Sequence, residues 1–357
     1  MSRIRELDLM RGIAIFLVVL GHTFPPVLKD KYLTLYIGYH FIYNFHMPLF
    51  FLISGFLYYI QARKIDTITF IKNKFVQLMI PYIVFSLLTY LGINLAMASS
   101  HTLNNVLAQN GYTVVGNFNA FLYSLLTYTD HIDKHIWFIY CLFLIFIIGK
   151  CLDEFIGRSN FWTIAIIFLG ISFFINLNIG RIFPIVKLTL YHFIFFYIGK
   201  YFAQNYGNKN TILIYKTRII LSFMFLNTMM IGIHYCTISK LIDKNIGLLL
   251  NKILIYPCSI LGVLSTFILV HYISNKVILD KLVVLNKYSY DIYLLHQPFI
   301  VSGSIAVLYA VLKLPVEVVV ITALTTGIII PYFISKYILR KSSILSLLFL
   351  GKFKKLN

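Results

Sequence analysis

The chain is cut by its charges into long uncharged runs. Residues 12–28, 32–62, 75–129, 159–180, 219–239, 253–275, 292–312 and 318–335 contain no Asp, Glu, Lys or Arg. A transmembrane helix needs about 20 mostly apolar residues, so most of these runs are long enough to cross a bilayer. The shorter runs 135–149 and 188–199 reach that length once their flanks are included. In 75–129 only the part near 78–98 reads as a span, because the rest is rich in Asn, Ser and Thr. The expectation is an all-α integral membrane protein, a polytopic bundle of about ten transmembrane helices. The first span is not expected to be a cleaved signal peptide, since no small-residue cleavage site follows it and Pro25-Pro26 ends the helix.

Composition agrees. Charged residues make up 12% of the chain and hydrophobic ones 59%, against about 25% charged in an ordinary soluble domain. That excludes disorder, a collagen-like repeat and a disulfide-stapled scaffold. Cys141, Cys151, Cys236 and Cys258 form no CxxC pair and suggest no metal. The net charge of +19 would suit a nucleic-acid binder if the bases clustered on a soluble face. Here they fall in the gaps between apolar runs, so no nucleic-acid partner is expected. With the N-terminus inside, 22 of the 31 bases lie in cytoplasmic segments and 9 outside, as the positive-inside rule favours. Both termini are then cytoplasmic. Residues 1–340 form one membrane domain, with a longer outer connection at 99–134, and 341–357 form a basic tail.

Ionisable groups inside spans are costly and default to functional candidates. Arg11 and His22 are eleven residues apart, which is about three helical turns. They share one face, separated by ~16.5 Å along the axis. Asp8, at i−3, can pair with Arg11. An interfacial snorkelling arginine and a hydrogen-bonded helix histidine would give the same spacing. His46 opens the second span, beside a proline suited to a first helical turn, and Ser54-Gly55 below it permits close helix approach. His135 precedes Trp137, whose ring also fits an ordinary interface anchor. Asp291 and His296 lie on one later helix. Eight of the ten histidines fall on the outer side, as a site near that face would require. Outer loops that are polar without being basic give the same count.

In order along the chain, "LDLMRGIAIFLVVLGH", "FHMPLFFLISGF" at 45–56, "IPY" at 80–82, "HIWFI" at 135–139, "FFYIG" at 195–199 and "YSYDIYLLHQP" at 288–298 resemble the landmarks of the integral-membrane acyltransferase type 3 family. Within it the wording is most similar to fucose acetylase-type sugar O-acetyltransferases. The resemblance implies an O-acyltransferase that moves acetyl from acetyl-CoA, without a metal, to a hydroxyl of a surface polysaccharide, glycolipid or lipid-linked sugar at the cell membrane. His22 would be the general base or would carry the acyl group covalently. Arg11, Lys72 and Lys74 would hold the donor's phosphates. His46, His135 and Trp137 would line the acceptor side, and Asp291 with His296 would form a secondary polar pair or hold helices together.

Two departures bear on these roles. Where the family shows a second basic residue before the proline of the third span, this chain has Gln77. No long hydrolase-like domain follows Ser335, so transfer would be completed by the membrane domain or handed to a partner. Residues 114–128 read as an interfacial or re-entrant segment, or as a plain loop helix. An exporter or flippase of a glycolipid precursor is the alternative class. It predicts internal repeats, and none is evident.

Overall fold

The uncharged runs become helices, because apolar side chains with no competing polar groups leave the backbone to satisfy itself. The computed structural model describes residues 4–62, 65–99, 117–131, 133–155, 161–176, 182–273 and 280–352. Among these, helices and turns alone occur, with no strand. The principal helices are α1 (Arg5–His22), α2 (Leu33–Tyr43), α3 (His46–Leu57), α4 (Thr67–Lys74), α5 (Ile80–Ser99), α6 (Phe118–Thr127), α7 (Trp137–Phe155) and α8 (Phe161–Asn176). They continue with α9 (Pro184–Gln204), α10 (Lys216–Ile238), α11 (Lys244–Ile273), α12 (Asp280–Leu295), α13 (Val301–Ile305), α14 (Val316–Ile334) and α15 (Ser343–Leu350). Among the described residues, five stretches are long and apolar enough to cross a membrane: Leu33–Gln61, Thr67–Ser99, Lys216–Ile238, Lys244–Ile273 and Val316–Leu339. Their outward faces stay apolar, with Leu95, Leu221, Phe225, Leu269 and Ile321 all exposed, as a lipid-facing surface requires.

The run 292–312 departs from expectation. The helix begins at Asp280, ends at Leu295, and a separate helix starts at Val301. Pro298 has no N–H to donate, its ring crowds the carbonyl one turn back, and it disfavours the helical state of Gln297. His296 therefore sits at a helix end. Of the long connection, residues 100–116 lie outside the described residues, and the expected segment 114–128 is represented by α6. Tyr82 donates to the Leu125 carbonyl at 2.7 Å and Tyr140 to that of Leu126 at 3.0 Å, which pins α6.

Helix α1 is the central post. It packs against α2, α3, α11, α12, α13 and α14, so Leu9, Met10, Ala14, Ile15, Val18 and Val19 are buried around most of its circumference. The tightest seam joins α3 to α9. A Cβ on Gly55 would lie 1.9 Å from the Phe196 carbonyl oxygen, and one on Gly199 would lie 2.0 Å from that of Leu52. Each glycine makes room for the other helix's backbone. Residues 343–352, expected within a basic tail, fold back: α15 packs on α5, and Leu350 is fully buried. Gly351, at φ +60°, meets the backbone of Gln77.

Candidate active site

Two cavities open along α1, one at each end of the Arg11–His22 face. The first, about 340 Å³, is lined by Arg11, Lys74, Gln77, Asn286, Lys287 and Lys352, with Ser54 and Tyr290 beside them. Lys74 Nζ donates to Gln77 Oε1 at 2.9 Å, so the residue that breaks the expected basic pattern serves as the lysine's partner. Lys72, two residues earlier, is exposed and does not line the cavity. Asn286 Nδ2 donates to Asp8 Oδ1 at 2.6 Å, which ties α12 to the foot of α1. Two π-wound turns, Tyr58–Ala62 and Phe75–Met79, each contribute residues to this wall, a common place for such irregularities.

The second cavity, about 300 Å³, is lined by His22, His46, His135, Trp137, His192 and Tyr293. Tyr293 lines both cavities. Its hydroxyl donates to the His135 carbonyl, which fixes the ring between α12 and the start of α7. Trp137 packs 5.0 Å from His192 and 6.2 Å from Phe51, centroid to centroid, so it belongs to the cavity wall. Asn44, Tyr191 and Ile255 also line a third cavity, about 260 Å³, that carries His40, His234 and Asn251.

The histidine tautomers follow from what each ring touches. His46 Nδ1 donates to the Ile42 carbonyl at 2.9 Å, and His192 Nδ1 to that of Leu188 at 2.8 Å. His296 Nδ1 is shared between the carbonyls of Tyr293 at 2.8 Å and Ile292 at 3.1 Å. A carbonyl only accepts, so each Nδ1 carries the hydrogen and each Nε2 presents a lone pair. His135 Nδ1 instead meets the carboxylate of Asp133. Among the described residues His22 alone of the five makes no hydrogen bond. Its ring lies 5.1 Å from His296, and His296 lies 5.2 Å from His135. The Nε2 atoms of His135 and His296 are buried with no partner.

Asp133 is nearly inaccessible, at 1% exposure. Thr89 Oγ1 donates to its Oδ2 at 2.9 Å, and the Tyr128 hydroxyl to its carbonyl at 2.7 Å. Its own N–H donates to His131 Nδ1 at 3.1 Å. In that loop, burial holds His131 down to about 4, so this ring is a neutral strut at pH 7.

The structure thus gathers His22, His46, His135 and Trp137 at one cavity and Arg11 with Lys74 at the other. It does not join Asp291 to His296. Asp291 is fully buried against Ser335 (2.6 Å), Arg340 (2.5 and 2.8 Å) and Lys352 (3.0 Å), while His296 stands with His22. Asp133, His192, Tyr293, Asn286 and Lys352 escaped the sequence reading. Of these, Tyr293 stands inside the motif quoted at 288–298, and His192 is one of the eight outer histidines. A further cavity, about 380 Å³, shares no residue with either end of this site. Its lining is charged, with Asp66, Lys150, Asp153, Glu154 and Lys200.

Comparison with known proteins adds three findings. The family pattern described as "Acyltransferase domain" matches residues 4–334. The chain is similar to "Nodulation protein NolL" of Mesorhizobium japonicum, 26% identical over 215 residues, covering 59% of this chain and 51% of that protein. It is also similar to the protein of the same name from Sinorhizobium fredii, 27% identical over 219 residues, covering 60% and 53%. The matched stretch spans about half the length of these relatives. No solved structure matches.

Proposed function

The chain belongs to the acyltransferase family defined by that domain, and from this we propose a specific transfer. The protein moves an acetyl group from acetyl-CoA to a hydroxyl of a cell-surface polysaccharide, glycolipid or lipid-linked sugar. It works in the cell membrane as a ten-span bundle with both termini cytoplasmic. The observation that carries the reading is that one buried helix presents a cationic cavity at one end and a histidine cavity at the other, with Tyr293 lining both.

The division of chemistry follows. Arg11 and Lys74, joined by Lys352, offer fixed positive charge to the donor's phosphates, which charge-assisted hydrogen bonds hold well. Lys72, on the exposed face, adds only to the field that draws the donor in. The acetyl thioester then reaches past Tyr293 toward His22. The acceptor hydroxyl enters the histidine cavity, where Trp137 and Tyr191 offer apolar ring faces and His46, His135 and Asn44 offer hydrogen bonds. Such a mixture suits a sugar. His22, the one ring without a fixed hydrogen bond, takes the hydroxyl proton as the oxygen attacks the thioester carbonyl. The new C–O bond forms, the C–S bond breaks, and the thiolate regains the proton.

The test is acetyl analysis of the envelope polysaccharide from wild-type and deletion strains, with His22→Ala and Arg11→Gln reintroduced at matched expression. Loss of O-acetyl groups from polymer that still reaches the surface is expected. Polymer retained inside the cell, with its acetylation unchanged, would instead assign the chain to export.

A further inference from the structure

One face of α11 lines three cavities in succession. Lys244, Leu248, Asn251, Ile255 and Ser259 recur at intervals of three or four residues, so they lie along one side of the helix. Ser259 and Ile255 line the histidine cavity, and Ile255, Asn251 and Leu248 line the third one. Asn251, Leu248 and Lys244 line another, about 570 Å³, at the turn between α10 and α11. At 1.5 Å per residue this face is about 22 Å long, longer than one sugar ring and enough for several joined together. His234 of α10 lines the two cavities farther from His22. We propose that the acceptor is an acidic oligosaccharide or polysaccharide chain, which lies along this face and brings one hydroxyl to His22. This rests on the reading that the His22 cavity transfers an acyl group to a sugar.

The charges along the path set the sign of the acceptor. Lys240 and Lys244 line the 570 Å³ cavity and Lys252 the third one. Among the described residues none of the three makes an ion pair. Asp243 is the one acid on either lining, and it is already engaged. Its Oδ1 accepts from the N–H of Asn245 at 2.9 Å and of Ile246 at 3.2 Å, at the start of α11. Even with Asp243 counted, positive charge is in excess, which fits a ligand bearing carboxylates or phosphates of its own. Between the lysines the lining suits sugar hydroxyls. Asn251 Nδ2 donates to the Gly247 carbonyl at 3.1 Å, and its Oδ1 is left to accept. The rings of His40 and His234 lie 4.1 Å apart, and His234 is held by a 2.6 Å hydrogen bond to the Tyr36 hydroxyl. Tyr191 is common to the histidine cavity and the third one, so the same ring can carry a sugar from one into the next.

The arrangement also keeps two anionic ligands apart. The Arg11 cavity shares no lining residue with the third cavity or the 570 Å³ one, so an acidic acceptor and the donor's phosphates are gripped by different lysines. The three lysines touch no reacting atom. They hold the chain at a distance from the thioester, and that remote binding sets which hydroxyl faces His22.

The experiment uses the full chain in lipid nanodiscs with acetyl-CoA as donor and follows release of the CoA thiol. The acceptor is the de-O-acetylated envelope polysaccharide of the producing cell, hydrolysed and separated by length and, on an anion exchanger, by charge. Acidic fragments of several sugars are expected to exceed both single sugars and neutral fragments of equal length by about 10-fold or more in kcat/KM, chiefly through KM. Lys240→Gln, Lys244→Gln and Lys252→Gln combined should raise KM for the long acidic fragments about 10-fold or more, with kcat and KM for acetyl-CoA within about twofold of wild type. Leu248→Trp narrows the path where the two farther cavities share a wall, and should raise KM more for long fragments than for short ones. The proposal is overturned if the rate is indifferent to fragment length, if neutral fragments serve as well as acidic ones, or if the polysaccharide yields no acidic fragment. It is equally overturned if the triple variant keeps the wild-type KM, which would assign these lysines to lipid headgroups. Should that variant not accumulate, Leu248→Trp and the wild-type charge series decide. A His22→Ala chain that still transfers acetyl, or a wild type that transfers to no fraction, brings down the parent reading instead. An inactive His22→Ala beside a wild type indifferent to length and charge removes the acidic chain alone.

Discussion

The two cavities solve opposite electrostatic problems. At the Arg11 end the groups are basic side chains that come from widely separated segments and have partners of their own: Lys74 donates to Gln77, and Lys352 pairs with Asp291. At the His22 end the groups are imidazole rings, most of them at or beside helix ends. His46, His192 and His296 are each held by a backbone carbonyl, and a single carboxylate stands behind His135. Fixed charge suits holding an anionic ligand that arrives and leaves. Oriented imidazole nitrogens suit passing a proton that must not be held too well. A membrane protein can place both on one helix only by keeping them turns apart, and α1 does so.

If this division of labour is correct, the largest effect should come from the histidine end. His22→Ala should reduce turnover by about 10²–10⁴-fold while acetyl-CoA still binds, read by isotope-labelled donor retained on the protein. Arg11→Gln should do the reverse, raising KM for acetyl-CoA about 10-fold or more through the loss of a charged hydrogen-bonding group and leaving kcat nearly untouched. A fall in kcat alone would erase the distinction between the cavities. Asp291→Asn should act on stability, costing about 2–3 kcal/mol as Arg340 and Lys352 lose their shared carboxylate. Both cations reach solvent, which limits the penalty, and thermal unfolding in detergent measures it. Lys72→Ala should be the mildest, raising KM less than twofold at physiological salt, because its charge is exposed and screened.

Much of this architecture can be read from the residues, and the places where reading fails have physical reasons. The uncharged runs locate the helices because lipid leaves the backbone no alternative. Arg11 and His22 share a face because helical periodicity is fixed, and Ser54-Gly55 marks a close approach because small residues permit one. Asp291 and His296 show the limit. Five residues apart on a helix places them about 140° around the axis, so a shared helix did not make them neighbours, and each found partners on other elements. Asp133 stayed hidden because one acid in a polar stretch looks solvated. Its importance depends on Thr89, 44 positions earlier, and no local pattern encodes that contact. Lys352 looked like part of a solvated basic tail for the same reason.

The reach of Lys352 across the fold also has a consequence for timing. The histidine cavity draws its lining from residues up to Tyr293, but the cationic one also needs residue 352. At the usual pace of translation, roughly 5–20 residues per second, the difference of 59 positions is about 3–12 s. A growing chain therefore owns its proton-handling rings before it can complete its grip on an anion. A chain stopped short of α15 would keep the rings and lose part of that grip.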